Sequence, residues 1–197
     1  MTDSPPNTNT NSSLPVVSSC WDACCIVPYL YLGSATSVTG KYARDVMLSD
    51  EHKIAAVVNV TRVENAFPKD FEYLQIDIED RDGVDIDKHF ESANEFIHRH
   101  REAKQAVIVH CMAGSSRSAT IVIAYLVRHC GYTLKAAFEH VLALRPVIDP
   151  NDSFRAQLMQ YERLRSTLES NSIDLLSSEV RDGPVYRALW HGAMGLK

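Results

Sequence analysis

The stretch Val107-Ile-Val-His-Cys-Met-Ala-Gly-Ser-Ser-Arg-Ser-Ala-Thr120 decides how this chain is read. An apolar β-branched run stops at a His-Cys pair, gives way to small residues and resumes as an apolar segment. That is the pattern of a strand, a loop and a helix: Ala106–Val109 suits a buried parallel strand, and Arg117–Cys130 has apolar positions at helical spacing and ends against Gly131. Met112, Ala113, Gly114, Ser115 and Ser116 bring neither bulk nor charge to the loop between them. Such a loop can curl its backbone amides inward and, at a helix N-terminus, make a nest for a dianionic phosphate. Gly114 permits the turn that a β-carbon resists. The same field acts on Cys111, because a thiolate is also an anion. A free cysteine has a pKa of about 8.5, whereas such sites lower it to roughly 3.5–7.5, which makes Cys111 the candidate nucleophile. Arg117 presents a planar fork to two phosphoryl oxygens, and Ser118 offers its hydroxyl to the departing sulfur.

A chain of 197 residues, 45% of them hydrophobic, is sized for one domain with tails and a substantial core. The net charge of -5 argues against a general polyanion binder, so nucleic acid is not an expected partner. No apolar run approaches the roughly 18 residues of a membrane span, and the start lacks the basic and apolar regions of a signal peptide. Five cysteines, an odd number with one proposed as a reactive thiolate, point to a reducing compartment, cytosol or nucleus. Cys20-Trp-Asp-Ala-Cys-Cys25 is followed by no second pair at finger spacing, so these thiols are expected to be buried under the first strand and no metal or cofactor is expected.

Residues 1–19 are almost all Thr, Ser, Asn, Pro and Asp and read as a flexible tail. Ile26–Leu32 alternates apolar residues and reads as an edge strand tolerating Pro28. Lys41–Leu48 is a short helix. Ile54–Val60 is a second buried strand, which makes the Asn59-Val-Thr61 sequon interior, and Phe71–Ile78 is a third. Glu79–Asp85 is an acidic, turn-rich loop ahead of a helix over Ile86–Ala103. A phosphate ester's leaving oxygen needs a proton, and Asp80, Asp82 and Asp85 are the candidates to supply it. Thr133 caps a helix through Leu144 that stops at Arg145-Pro146. Asn151 or Asp152 caps a helix over Ser153–Leu168 whose stripe Phe154, Leu158, Tyr161, Leu164 and Leu168 is expected in the core. His98, His100, His129 and His140 read as packed or solvated, and His110 as orienting the loop and helping to hold the thiolate. Cys130, at the far end of its helix, lies about 20 Å from the loop, too far for a disulfide with Cys111. Residues 171–197 form a C-terminal tail in which Asp182-Gly-Pro184 can open a short helix. Val185/Leu189 and Tyr186/Trp190/Met194 would give that helix apolar faces for docking or for a partner.

His110-Cys-x-x-Gly-x-x-Arg-Ser118 resembles the signature loop of the cysteine-dependent protein tyrosine phosphatases, most closely the small atypical dual-specificity group. The likeness runs from Cys20 to about Ser170 and includes Ile26-Val-Pro-Tyr-Leu-Tyr-Leu-Gly-Ser34, Val58-Asn-Val-Thr61, Ile78-Glu-Asp80 and Arg145-Pro-Val-Ile-Asp-Pro-Asn151. It implies a single α/β catalytic domain over residues 20–170, with a mostly parallel twisted sheet flanked by helices. It implies a two-step phosphomonoester hydrolysis through phosphocysteine, with Cys111 as nucleophile and Asp80, ahead of the helix that carries Phe90, as the acid. Asn151 would brace the phosphate loop. The expected substrates are phosphotyrosine and phosphoserine/phosphothreonine in proteins. The alternatives are a phosphoinositide or other phosphomonoester, which the absence of lysines from the loop disfavours, and a phosphate-binding scaffold without turnover. No basic docking module for MAP kinases is read ahead of the domain.

Overall fold

A computed structural model describes residues 21–170 of the chain, with side chains through residue 164. The tails over 1–19 and 171–197, Cys20 and the side chain of Leu168 lie outside the described residues. The first half of the fold comprises β1 (Ala23–Val27), β2 (Leu30–Gly33), α1 (Gly40–Leu48), β3 (Ile54–Asn59) and β4 (Glu72–Gln75). The second comprises α2 (Phe90–Glu102), β5 (Ala106–His110), α3 (Arg117–His129), α4 (Leu134–Leu144) and α5 (Asp152–Ser170).

The strands form one mixed sheet in the order β1-β2-β5-β3-β4. β2, β5, β3 and β4 run parallel, and only β1 is antiparallel to its neighbour. The branched apolar run of β5 is buried at every position because helices cover both faces of the sheet. Alternation along the strands then sorts side chains between two cores. Val107 and Val109 of β5 meet Ala56 and Val58 of β3 on the face covered by α2 to α5. Ile108 and Val57 point the other way, towards Met47 of α1 and Phe71. Helix α3 is buried from Arg117 to Val127, so it is the central helix, with α2, α4 and α5 packed around it.

Five sequence expectations are corrected. Ile26–Leu32 is not one edge strand: Pro28 and Tyr29 turn the chain, with Tyr29 at φ 66°, and Val27 pairs with Leu30 in a hairpin. Proline has no N–H to continue a ladder. β2 is therefore interior, with Leu30 and Leu32 fully buried. The apolar stripe of α5 is not all in the core, for Phe154 and Leu158 are buried but Leu164 is 56% exposed. Cys24 is half-buried and Cys25 exposed, so the thiols of β1 are not all covered. Phe71–Ile78 contracts to β4, and the helix expected from Ile86 opens as a 3-10 turn over Asp87–His89 before α2 begins.

The interior placement of β2 has a measurable consequence. Leu32→Ala is expected to cost about 2–5 kcal/mol in urea unfolding, as for a leucine deleted from a close-packed core. A cost below about 1 kcal/mol would return β2 to the sheet edge.

Candidate active site

Strand β5 hands the chain to α3 through the loop at residues 111–116, and the surroundings of that loop take up its carbonyl groups one by one. Ala35 N donates to Met112 O at 3.1 Å, and Arg145 donates from Nη2 to Ala113 O at 3.2 Å and from Nε to Gly114 O at 2.9 Å. Asp149 N donates to Ser115 O at 2.8 Å, and Thr120 N to Ser116 O at 2.9 Å. In a trans peptide the C=O of one residue is opposed to the N–H of the next, so carbonyls engaged outside the loop turn the amides of residues 113–117 to the other side. Gly114 sits at φ 67°, and a β-carbon there would lie 2.6 Å from Gly33 O and 2.6 Å from Arg145 Nη2. The glycine is thus required by both its backbone angle and its close approach to β2.

Cys111 is buried, and its Sγ accepts from Ser118 Oγ at 3.1 Å. Arg117 is buried beside it; Nη1 donates to Ile78 O at 3.1 Å, which fixes the guanidinium against the end of the preceding loop. Its Nε lies 3.4 Å from Asp80 Oδ2, an ionic contact without hydrogen-bond alignment, so that N–H has no hydrogen-bond partner among the described residues. Of the three candidate acids only Asp80 reaches the phosphate loop. Its Oδ1 accepts from Ser116 Oγ at 2.7 Å and from Asn151 Nδ2 at 3.0 Å. Asp82 instead accepts from Ser153 N at 3.3 Å, and Asp85 pairs with Lys88. Asn151 also caps α5, its Oδ1 accepting from Phe154 N at 2.9 Å.

His110 meets the loop-orienting half of its expected role, since its Nδ1 donates to Cys111 O at 3.3 Å. Burial pushes its pKa down to about 4, and the nearby Arg117 adds to the shift while the bond to Cys111 O opposes it. A neutral ring orients the backbone and offers no positive charge to a thiolate. Residue spacing gave no indication of Arg145, whose Nη1 also donates to Asp22 Oδ1 at 2.8 Å. The four helical histidines named from the sequence are packed: His98 stacks on His129 with centroids 4.2 Å apart, His100 Nδ1 meets Gln105 Oε1 at 2.9 Å, and His140 donates to Ile26 O at 2.7 Å. Cys130 closes α3 and sits 3.6 Å from Arg101 Nη1. Among the described residues no three His, Cys, Asp or Glu side chains converge to hold a metal.

A family model described as the dual specificity phosphatase catalytic domain matches residues 30–164. Human dual specificity protein phosphatase 1 is 42% identical over 138 residues, 70% of this chain and 36% of that protein. The chain therefore spans about a third of the length of the curated relatives it matches. Among solved structures, human DUSP28 is 31% identical with a TM-score of 0.67, covering 73% of this chain and 95% of that one. The human tyrosine phosphatase-like serine/threonine/tyrosine-interacting protein is 32% identical with a TM-score of 0.68, covering 74% and 98%.

Gly114→Ala is expected to leave a folded protein, by circular dichroism, that has lost at least about ten-fold in affinity for vanadate. His110 accepts a proton at pH about 4 in the folded chain and near 6.5 when unfolded, so the unfolded state binds more protons between those values. Stability therefore falls as the pH drops from 6.5 to 4, by about 3 kcal/mol in all. Urea midpoints across that range should show a smaller fall in His110→Asn, and an identical fall would refute the assignment.

Proposed function

This chain belongs to the dual-specificity phosphatase family, and on that premise we propose that it hydrolyses phosphotyrosine and phosphoserine/phosphothreonine in proteins through a phosphocysteine intermediate. The observation that carries the proposal is the convergence on one loop of the Cys111 sulfur, the Arg117 guanidinium and the Asp80 carboxyl, with the loop amides turned inward.

Cys111 Sγ attacks phosphorus in line with the ester oxygen. The amides of the loop and the unpaired Nε–H of Arg117 take the equatorial oxygens, where charge spreads in the transition state. Asp80 gives its proton to the leaving oxygen as the P–O bond breaks, which leaves phosphocysteine and a carboxylate. That carboxylate then takes a proton from water attacking phosphorus, and Ser118 donates to the sulfur as the S–P bond breaks. No lysine stands between Cys111 and Arg117, which favours a phosphoprotein over a polyanionic phosphoinositide headgroup. The thiols of Cys24, Cys25, Cys111 and Cys130 are free, which supports placing the protein in the reducing cytosol or nucleus. For residues 171–197 the apolar spacing of Val185, Leu189 and Trp190 supports a partner-binding segment.

A binding-only role is the second reading, favoured by the likeness to a phosphatase-like interacting protein. Turnover decides between the two. The wild-type chain is expected to hydrolyse para-nitrophenyl phosphate and both classes of phosphopeptide, with vanadate inhibiting. Cys111→Ser should lower kcat by roughly three orders of magnitude or more, and Asp80→Asn by roughly 10²–10⁴. Binding of a phosphopeptide without hydrolysis, or hydrolysis that survives Cys111→Ser, would overturn the proposal.

A further inference from the structure

We propose that Asn151 and Ser116 are positioning residues for Asp80, holding its carboxyl so that Oδ2 alone exchanges the proton with the leaving oxygen; this rests on the reading of Asp80 as the proton donor. The two oxygens of Asp80 are not equivalent. Oδ1 accepts from both Ser116 Oγ at 2.7 Å and Asn151 Nδ2 at 3.0 Å, whereas among the described residues Oδ2 makes only the 3.4 Å ionic approach to Arg117.

Neither donor is free to do otherwise. The Asn151 side chain is fixed end for end, because its Oδ1 accepts from Phe154 N at 2.9 Å and only Nδ2 remains for Asp80. Ser116 stands at the N-cap of α3 yet makes no capping bond to that helix. A serine at this position ordinarily lends its oxygen to an amide of the first turn. Here Oγ accepts from Asn151 N at 3.3 Å and sends its one proton to Asp80. The diversion has a second effect, since the serine oxygen then leaves the first-turn amides of α3 uncapped at the phosphate end.

The loop that carries Asp80 has no regular structure of its own, and the start of α5 grips it at several further points. Gly83 N donates to Ser153 Oγ at 3.4 Å, Ser153 N to Asp82 Oδ1 at 3.3 Å, Gln157 Nε2 to Val84 O at 2.8 Å and Asp87 N to Gln157 Oε1 at 3.0 Å. The first turns of α5 are therefore the template on which the acid loop is laid, and Asn151 and Ser116 are where that template touches the carboxyl itself.

The test compares leaving groups. Asn151→Asp keeps an acceptor for Phe154 N, and so the helix cap, but removes the donor to Asp80; Ser116→Ala removes the other donor, and Ser116→Thr restores it. The expected result for Asn151→Asp and Ser116→Ala is a loss of roughly 10- to 100-fold in kcat/KM on phenyl phosphate, whose leaving group needs the proton. On 2,4-dinitrophenyl phosphate, whose leaving group does not, the expected loss is under about three-fold. Ser116→Thr should recover most of the phenyl phosphate activity, and Asn151→Asp placed on Asp80→Asn should add little, because the two act on one step. An equal loss on both substrates, or none, with Asp80→Asn still selective for the poor leaving group, would overturn the positioning role and leave the acid in place. If Asp80→Asn itself shows no such selectivity, the reading of Asp80 as the acid falls and the positioning role falls with it.

Discussion

The site depends on the outward engagement of the carbonyls from Met112 to Ser116. An anion nest needs several consecutive amides to point the same way, and nothing in a run of small residues compels them to do so. The compulsion comes from elsewhere in the chain: the turn after β2 supplies Ala35 N, the end of α4 supplies Arg145, and the segment before α5 supplies Asp149 N. Each donor removes one rotational choice from the loop. The cost of ordering the loop is thereby met during folding and not when a phosphate arrives, which is how preorganised donors stabilise charge developing in a transition state.

Arg145 performs most of this, and its burial has to be compensated. A guanidinium taken out of water loses several kcal/mol unless it is paired and its donors are used. Two of its nitrogens bond to loop carbonyls and the third meets Asp22. Burial works against ionisation of Asp22, yet Arg145, Ser34 and Thr36 together hold its carboxyl below the usual range. The residue just ahead of β1 is thus tied to the phosphate loop through one side chain. A related constraint explains His110. Burial first, and the charge of the nearby Arg117 after it, disfavour a protonated imidazole, and the ring is kept neutral to hold a backbone carbonyl.

What the sequence made legible was what local patterns encode. The branched runs of β3 and β5, the helical spacing of α3, the Thr133 cap and the small-residue loop each announce themselves within about a dozen residues. The hairpin did not, because the apolar alternation of Ile26–Leu32 continues through the turn and the deciding fact is a left-handed tyrosine after a proline. The sequence left three candidate acids, and only the resemblance favoured Asp80 among them. The physical selector is the start of α5, some 70 residues away, which turns Asp82 to Ser153 and leaves Asp80 to Asn151. Leu164 fits the helical period but is exposed, since periodicity records which face is apolar and not how far the core extends.

Asn151 shows why a residue with a sufficient structural explanation can still carry chemistry. Capping α5 accounts for its presence completely by sequence rules, yet capping uses only the amide oxygen. Its two remaining N–H groups need acceptors, and one of them finds Asp80. Ser116 presents the opposite case: the cap expected of it is missing, because its oxygen accepts from Asn151 N while its proton goes to Asp80. The oxygen left unbonded by both donors, Asp80 Oδ2, is the one that approaches the Arg117 guanidinium, at 3.4 Å. On the proposed reading of Asp80 as the acid, a carboxyl with one oxygen loaded and the other turned to Arg117 directs its proton, and the direction is set by a helix cap and an unmade helix cap that the phosphate loop shares.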